Sequence, residues 1–516
     1  MSMINESILC NNFAGIKAKD LIFSSSVITA SDMQNVELFN TGVSSGVGIR
    51  TMKGNIPIFE LDGDEKIINV FKSTQRAGNY CFIHTETENE GKIYLFNSAS
   101  KEIDLVVDGL IITGVSFGVD FVRGWSDLFI LSTGEELLSI ELEISGENIL
   151  PQVIKFAPAD MDGRTVKGYG LVVFDGRLWI YNESVLWYSM KGDCYDFSTS
   201  SAGLTTSSGY IEFVKNVTAI APYLGTLAVF HNDSSCLITI NSDFTYSKTD
   251  ESPGGCAGHY SLIFHGTQLY FYDDTKKAVF SFSQVINGDK TLSDNLAEDV
   301  QPYFSEIYDW QVNEIRMCSV IQYNKNEIWF LLPSVNDGLS DILIYDVLHS
   351  QWIHRKSQKI NSMIMLDNLL HSVSDKKILK EYSGENFDGE FIPAYYTCAP
   401  LNLTVDNMMK SFYAPPRVTL DADFNNDFMV RYVKDNNYTK KYETKHIALR
   451  PLKNYFTWDV SLWDVDTMLR PPQADYIRRL PTAYFRNLEI TFFTEQLSQG
   501  FSVKNMEITR IKGKTI

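Results

Sequence analysis

The chain has 516 residues, of which 44% are apolar and 13% aromatic, and its formal net charge at pH 7 is −19. This length exceeds what one hydrophobic core usually supports and the apolar content excludes a disordered chain, so we expect several domains or a repeat architecture. Acidic and basic residues are interspersed and no Lys/Arg-rich stripe is present, which disfavours tight binding of DNA or RNA through phosphate contacts.

The cysteines and the N-terminal segment give expectations about the compartment. Seven cysteines lie far apart and form no C-x-x-C pair, which predicts free, mostly buried thiols in a reducing environment. The segment MSMINESILCNNFAG has no basic region followed by an apolar core, so no secretory signal is expected. Apolar runs such as LIIT at 110–113 are far shorter than the ~20 residues of a membrane span, so no span is expected.

Strand-type patterns dominate the first three quarters of the chain. Each recurring unit has one apolar strand, a short polar turn and a second strand that ends in a polar segment. Seven such units begin at Gly91, Ser126, Gly176, Gly225, Gly266, Asn326 and Asn368, at intervals of 35 to 60 residues. Four-stranded sheets that recur at this spacing are typical of a β-propeller. The sequence therefore predicts an all-β fold with a propeller of six to eight blades, and seven fits best.

The segment GRLWIYNESVLWYS is the most aromatic of these units. Trp179 and Tyr181 are two residues apart and share one face of a strand, whereas Trp187, beside Tyr188, faces its cross-strand partners on the return strand. We expect these side chains to fill the space between neighbouring blades and to contact no ligand.

Three regions are predicted along the chain. Residues 1–60 form an N-terminal arm that joins the propeller or a platform, and residues 61–388 form the propeller. From residue 389 to 516 the strands are longer and alternate more clearly between apolar and polar residues, which favours an appended antiparallel β-sandwich or platform.

Residues 283–316 interrupt the repeat and are predicted to be an insertion between blades. They contain the best helix candidate, with Ser293 as N-cap and Pro302 limiting the helix length.

One short motif has the pattern of a hydrolase nucleophile. GVSFG at 114–118 matches G-x-S-x-G, in which Ser116 would be the nucleophile. That motif needs a helix directly after the serine, whereas VDFVRGWSDLFIL is strand-like. We therefore do not expect a catalytic serine.

The segment DADFNND at 421–427 has part of a calcium-loop pattern. Asp421, Asp423 and Asn425 occupy the first three ligand positions, but Asn426 replaces the required Gly and Tyr432 replaces the bidentate Glu. A solvated turn between strands is the better interpretation.

Two other motifs also fall short of a site. CAGH pairs Cys256 with His259, and His265 lies nearby, but a zinc site needs a second pair of ligands at comparable spacing. GKT at 513–515 lacks the upstream glycine and the following helix of a phosphate-binding loop. The sequence therefore predicts no catalytic residue, no cofactor and no metal site, and hence a protein that is not an enzyme.

Segments over about residues 12–510 share the strand and turn patterns of one protein family. NVELFNTGVSSGVGIRTMKGN leads from a strand into an Arg-x-x-x-Gly turn, from Arg50 to Gly54, and LVVFDGRLWIYNESVLWYSMKGDCYDFST contains a W-Y-S and G-D turn. Further matches are APYLGTLAVFHNDSSCLITI, AVFSFSQVINGDKTLSDNLAEDV and FRNLEITFFTEQLSQGFSVKNMEI. In these segments the chain resembles the propeller-bearing nozzle or stabilisation proteins of short-tailed bacteriophage tails, although it has more Asn and Lys and fewer Ala than the best-known members.

The resemblance implies a structural role in the virion tail. Copies of such a protein, typically six, form a ring below the portal and adaptor proteins, continue the DNA channel and anchor tail fibres or a tail tip. DNA would pass through without specific binding, no cofactor is implied, and assembly would take place in the cytoplasm of the bacterial host. An acidic channel and free thiols agree with these expectations.

An alternative from another class is a propeller that binds or cleaves carbohydrate. Trp310, Trp352 and Trp463 would be the exposed aromatic residues that stack on sugar rings. A third alternative is an interaction scaffold unrelated to viruses.

Overall fold

The computed structural model describes residues 5–10, 12–17, 27–41, 46–75, 80–145, 148–199, 207–241, 245–286, 289–308, 311, 314–322, 325–333, 338–400, 409–412, 415–421, 424–435, 442–449, 476–480 and 484–514. The chain forms two compact units. Unit 1 comprises residues 1–55, 342–357 and 382–516, and unit 2 comprises residues 56–341 and 358–381.

Strands make up most of both units. The first five are β1 (Asn5–Cys10), β2 (Asn12–Ile16), β3 (Val27–Gln34), β4 (Val36–Asn40) and β5 (Val47–Thr51). The next are β6 (Asn55–Glu60), β7 (Lys66–Lys72), β8 (Tyr80–Glu86), β9 (Gly91–Asn97), β10 (Ile103–Leu110), β11 (Phe117–Arg123), β12 (Ser126–Ser132), β13 (Leu137–Ser145), β14 (Asn148–Phe156), β15 (Leu171–Phe174), β16 (Arg177–Asn182), β17 (Val185–Tyr188) and β18 (Gly209–Glu212). They are followed by β19 (Ala219–Tyr223), β20 (Thr226–Phe230), β21 (Ser234–Ile240), β22 (Tyr246–Lys248), β23 (Ser252–Pro253), β24 (Leu262–His265), β25 (Gln268–Asp273), β26 (Ala278–Ile286), β27 (Asp289–Leu292), β28 (Arg316–Gln322), β29 (Lys325–Leu331), β30 (Leu339–Asp346), β31 (Gln351–Gln358), β32 (Ser362–Leu366), β33 (Leu369–Val373) and β34 (Lys377–Glu381). The last are β35 (Tyr395–Cys398), β36 (Met409–Phe412), β37 (Arg417–Leu420), β38 (Asn426–Lys434), β39 (Tyr442–Leu449), β40 (Tyr476–Arg479), β41 (Tyr484–Phe485), β42 (Leu488–Phe493) and β43 (Ser502–Lys514).

The strands from β6 to β34 form seven sheets within the described ranges. Sheets 1 to 6 each take four strands in chain order, β7–β10, β11–β14, β15–β18, β19–β22, β24–β27 and β28–β31, and β23 adds to the fourth sheet by pairing with β21. Sheet 7 combines β32, β33 and β34 with β6, which comes from before the first sheet. The chain thus supplies one strand of its last sheet before it begins the first.

The first strands of the sheets line the centre of a ring. β11 contacts β15, β15 contacts β19, β24 contacts β28, and β28 contacts β32. The contact of β32 with β7 joins the last sheet to the first. The protein is therefore all-β with a β-propeller, and the predicted fold class is confirmed.

The aromatic residues of sheet 3 fill both faces of that sheet. Trp179 and Tyr181, 0% and 4% exposed, pack against residues of sheet 4 such as Ile220. Trp187 lies opposite Ile180 and packs on the other face, in a cluster with Phe121 of sheet 2. The prediction that these side chains pack between blades is confirmed.

Unit 1 contains two larger sheets. One runs in the order β4-β5-β43-β36-β41, with β1 and β37 also paired to β43 and β40 paired to β37. The other runs in the order β2-β3-β35-β42-β38-β39. Strand β2 contacts β4, β5 and β43 of the first sheet, so the two sheets pack against each other. Strands from both ends of the chain therefore build the same pair of sheets.

Helices are few and short in the described residues. The predicted helix start at Ser293 is wrong, because the Ser293 hydroxyl oxygen accepts a hydrogen bond from the Ser281 amide of β26 at 2.9 Å. A 3-10 turn, Glu298–Val300, leads instead into α1 (Gln301–Ser305). Pro302 lies in the first turn of α1, where backbone N–H groups have no acceptor within the helix, so its missing N–H removes no helical hydrogen bond. None of the helices described here is long and apolar enough to cross a membrane.

Six cysteines have described side chains, and all six are free and buried: Cys81, Cys194, Cys236, Cys256, Cys318 and Cys398. The prediction of buried free thiols is confirmed for them. The side chain of Cys10 lies outside the described residues.

Candidate functional site

Polar side chains near the starts of the inner strands meet at the centre of the propeller. The Asn69 amide of β7 donates to the Tyr260 hydroxyl oxygen at 2.8 Å, and its carbonyl oxygen accepts from the Ser362 hydroxyl at 2.8 Å. The Tyr260 hydroxyl donates in turn to the backbone carbonyl of Ser116. These residues, with Arg316 at the start of β28, are the hub cluster. It joins sheets 1, 2, 5, 6 and 7 across the ring.

A 3-10 turn, His259–Ser261, places the Tyr260 ring in the hub. The ring stacks on Phe117 with 4.9 Å between centroids, and the Arg316 guanidinium lies 4.1 Å from the Tyr260 centroid, within the range of a cation–π contact. Burial raises the pKa of the Tyr260 hydroxyl, with Arg316 opposing the shift, so the hydroxyl is protonated at neutral pH and donates a hydrogen bond to the Ser116 backbone carbonyl. The hub is therefore filled by packed side chains, and among them Arg316 Nη1 is buried without a hydrogen-bond partner.

Ser116 belongs to an arrangement with the residue types of a hydrolase triad. Its hydroxyl is 3.0 Å from His84 Nδ1, and His84 Nε2 is 3.8 Å from Glu86 Oε1. However, Ser116 and His84 are 0% exposed, and the Glu86 carboxylate accepts hydrogen bonds from the Thr113 and Gly114 amides. Burial lowers the pKa of His84 to about 4, with the Glu86 charge opposing it, so the imidazole is neutral at pH 7. A nucleophile must reach its substrate, and this serine is sealed inside the fold.

We expect Tyr260→Phe to lower the free energy of unfolding by about 1–2 kcal/mol, because Asn69 and the Ser116 carbonyl lose a buried hydrogen-bond partner while the ring stays. Urea unfolding monitored by circular dichroism measures this change. Tyr169→Phe is the control, because the Tyr169 side chain is 42% exposed and its hydroxyl should be replaced by water contacts. Equal effects of the two substitutions would show that the hub hydrogen bonds do not stabilise the propeller.

The residues of the rejected zinc pattern do not converge on one point. His265 Nδ1 is 2.9 Å from the Ser319 hydroxyl, and His265 Nε2 is 2.8 Å from the Asn326 side-chain oxygen. Burial raises the pKa of the Cys256 thiol to about 12 and lowers the pKa of His259 to about 4. Within the described ranges, no three His, Cys, Asp or Glu side chains are placed to share a metal ion.

The calcium-loop pattern forms a turn fixed by an amide. The Asn426 side chain is 1% exposed and donates to the Asp421 carbonyl at 2.8 Å. Asn425 is exposed, and Tyr432 is 0% exposed within β38. Asp423 lies outside the described residues.

The expectation that Trp352 is an exposed sugar-stacking residue is wrong. Trp352 is 1% exposed, because it lies in β31 with its ring 5.0 Å from that of Tyr345. Trp310 and Trp463 lie outside the described residues. The discarded phosphate-loop match covers residues 513–515. Residues 513 and 514 are the last two residues of β43, and residue 515 lies outside the described residues.

Exposed apolar side chains lie at the first turns of several propeller sheets. Trp125 is 93% exposed, Val122 64%, Leu224 60%, Ile321 58% and Phe264 38%. Each lies where an inner strand turns into the second strand of its sheet. Because the hub cluster lies near the starts of the inner strands, these residues lie toward the other end of the propeller. We call them the turn-tip surface.

Sequence reasoning missed both the hub cluster and the turn-tip surface. The hub residues lie just before or within the first strand of their sheets, so comparing those positions across the repeats could have revealed a shared polar site. The turn tips could have been found from apolar residues beside a turn glycine, as in VRGW, YLGT and FHGT, because turns usually carry polar residues.

No protein-family model matches the sequence, and no curated protein matches it either. Among solved structures, virginiamycin B lyase from Staphylococcus aureus is similar, with 10% identity, a TM-score of 0.39 and coverage of 63% of this chain and 97% of the lyase. A protein from Lactobacillus plantarum has 8% identity and a TM-score of 0.39 over 68% of this chain and 99% of its own. A putative 6-phosphogluconolactonase from Bacteroides fragilis has 11% identity and a TM-score of 0.35 over 61% of this chain and 88% of its own. These similarities carry no conclusion about activity or partners.

Proposed function

We propose that the protein is a structural, non-enzymatic component of a bacteriophage tail. In this proposal several copies, six in the family that the sequence resembles, form a ring that continues the DNA channel below the portal and adaptor proteins. The ring anchors tail fibres or a tail tip, and the protein is assembled in the cytoplasm of the bacterial host and resides in the virion tail.

The turn-tip surface is the observation that carries the proposal. Trp125, Val122, Leu224 and Ile321 are each more than half exposed. The turn-tip residues come from sheets 2, 4, 5 and 6, so they present apolar groups on the same end of several sheets, and large exposed apolar patches mark protein-binding surfaces. A docking component of an assembly needs such a surface, whereas an isolated propeller does not.

The charge of the chain supports the second part of the proposal. A net charge of −19 repels the phosphates of DNA, so duplex DNA could slide past this protein without sticking. The sealed Ser116, 0% exposed, supports the non-enzymatic part, because the residue with a nucleophile motif contacts no solvent.

Electron microscopy of the purified protein, or of the particle that contains it, tests the proposal. We expect rings with a central hole of at least the ~20 Å that duplex DNA requires. We further expect Trp125→Ser combined with Leu224→Ser to reduce ring or particle assembly at least tenfold, because the change removes apolar contact area at the turn tips.

Val214→Ser is the matched control for this experiment. Val214 is 97% exposed and lies between β18 and β19, away from the first turns of the sheets. A protein that stays monomeric within its own particle would contradict the proposal. Equal loss of assembly in the control and in the turn-tip variant would show that the turn tips have no special role.

The carbohydrate-binding alternative has lost one of its three aromatic residues, because Trp352 is buried. Binding to a glycan array, or hydrolysis of host polysaccharide by the purified protein, would favour that alternative over the structural role.

A further inference from the structure

A cavity of about 330 Å³ lies within unit 1. Its walls come from Asn35, from residues 51–53 at the end of β5, and from residues 384–387, 390–392 and 394 before β35. Residues 424–425 before β38 and residues 494 and 498–500 after β42 complete them. A volume of this size is within the range of binding pockets. It accommodates one large side chain of a peptide together with the adjacent peptide backbone.

Backbone hydrogen bonds fix these segments to one another. The Asn55 amide donates to the Asn386 carbonyl at 3.1 Å, and the Thr494 amide donates to the Ala394 carbonyl at 2.9 Å. The Gly500 amide donates to the Asp427 carbonyl at 3.1 Å. The cavity is therefore preformed, which lowers the entropic cost of binding.

Gly500 allows the Phe424 ring to form one wall. A Cβ atom at position 500 would lie 3.0 Å from the Phe424 ring and 2.8 Å from the Thr51 hydroxyl oxygen. Both distances are shorter than ordinary contacts, so a larger residue would push the ring or the threonine away. The wall depends on a residue without a side chain at this position.

The floor of the cavity is apolar and includes an adaptable side chain. Met52, Phe387 and Ile392 are 7%, 5% and 7% exposed. The Arg355 guanidinium lies 4.7 Å from the centroid of the Phe387 ring and holds it in place. Methionine fits irregular apolar partners well. The lining contains neither Trp nor Tyr, so it suits an apolar side chain better than a sugar ring.

The rim of the cavity carries an excess of negative charge. Lys53, Glu385 and Glu390 line it and are exposed. Among the described residues, neither glutamate forms an ion pair. A ligand with positive charge beside its apolar group would complement both carboxylates. The net charge of −19 on each chain disfavours a second copy of this protein as the occupant.

We propose that this cavity binds a basic peptide segment of another protein, with one large apolar side chain on the floor and a flanking Lys or Arg at Glu385 and Glu390. This inference does not depend on the proposed tail function, because it rests on a different unit and a different surface.

The test titrates three peptides into the full chain with ¹³C-methyl-labelled methionine and follows the Met52 methyl signal, assigned with Met52→Leu. The peptides are acetyl-Gly-Lys-Phe-Lys-Gly-amide, the same peptide with Glu for Lys, and the same peptide with Ala for Phe. We expect the first to shift the Met52 signal with a dissociation constant on the order of 0.1–1 mM, a weak affinity suited to one buried side chain. The other two should bind at least tenfold more weakly.

Charge reversal at the rim provides the matched variants. Glu385→Lys with Glu390→Lys should invert the preference, so that the Glu-flanked peptide binds more tightly than the Lys-flanked one. Glu495→Lys, an exposed charge change outside the lining, should leave the preference unchanged. The other methionine signals report whether each variant remains folded.

Several results would overturn the proposal. One is an unchanged Met52 signal with all three peptides, and another is equal binding of the Lys-flanked and Glu-flanked peptides. A Met52 shift with maltotriose but not with the peptides would assign the cavity to sugars. A shift that depends on protein concentration alone would assign it to a second copy of this chain.

Discussion

Trp179→Ala should lower the free energy of unfolding by about 3–5 kcal/mol, as expected for truncating a fully buried tryptophan. The side chain is 0% exposed, its indole N–H donates to the Phe174 carbonyl at 3.1 Å, and its ring lies 4.9 Å from Tyr188 and 5.0 Å from Tyr246. The substitution leaves a cavity between sheets 3 and 4 and removes the donor for Phe174. Urea unfolding monitored by far-ultraviolet circular dichroism measures the change.

Trp125→Ala is the control for this experiment, because it removes the same side chain from a site that is 93% exposed. Its expected effect on unfolding is within about 0.5 kcal/mol. If both substitutions destabilise the protein equally, burial of the Trp179 side chain between sheets 3 and 4 does not stabilise the propeller.

The protein should become less stable as the pH falls from 6.5 to 4. Burial lowers the pKa of His84 to about 4, and it also lowers the pKa of His371 to about 4. In the unfolded chain both imidazoles titrate near pH 6.5, so between these values the unfolded state binds more protons than the folded state. Stability is therefore constant with respect to these groups above pH 6.5 and decreases toward pH 4. Each histidine accounts for about 3 kcal/mol of this decrease.

Unfolding midpoints measured at half-unit steps from pH 8 to 4 test this expectation. The double variant His84→Gln with His371→Gln should have a flatter profile between pH 6.5 and 4, although the substitutions also cost stability at pH 8. The stability that the substitutions themselves remove is the same at every pH. The change in the difference between the two profiles from pH 8 to 4 therefore reports the titration of the two histidines. Parallel profiles for the variant and the unmodified protein would contradict the assignment.

Much of the propeller was predictable because its sheets repeat a simple pattern. The units beginning at Gly91, Ser126 and Gly176 each supply a strand, a turn and a second strand to one sheet. Strand periodicity also placed Trp179 and Tyr181 on one face of sheet 3. Local pattern was sufficient here because each sheet pairs strands that are neighbours in the chain.

The features that depend on distant residues were not predictable. Ser293 is a residue type that often caps helices. In the structure its hydroxyl oxygen instead accepts a hydrogen bond from the Ser281 amide of β26. Tyr260 and Asn69 are far apart in sequence and meet only when the ring closes. Trp352 looked suitable for a sugar, yet Tyr345 of the neighbouring strand covers it. In each case a tertiary contact decided the environment.

During translation, strand β6 is synthesised long before β34, the strand with which it pairs. Strand β6 ends at Glu60, whereas its neighbour β34 begins at Lys377, so a growing chain holds β6 unpaired while more than three hundred residues are added. At about 5–20 residues per second, this wait lasts roughly 15–60 s. During that time a bare strand edge is available to pair with other nascent chains. Slowing translation after the first sheet should therefore increase aggregation more than slowing it once β34 (Lys377–Glu381) has emerged from the ribosome and covers the edge.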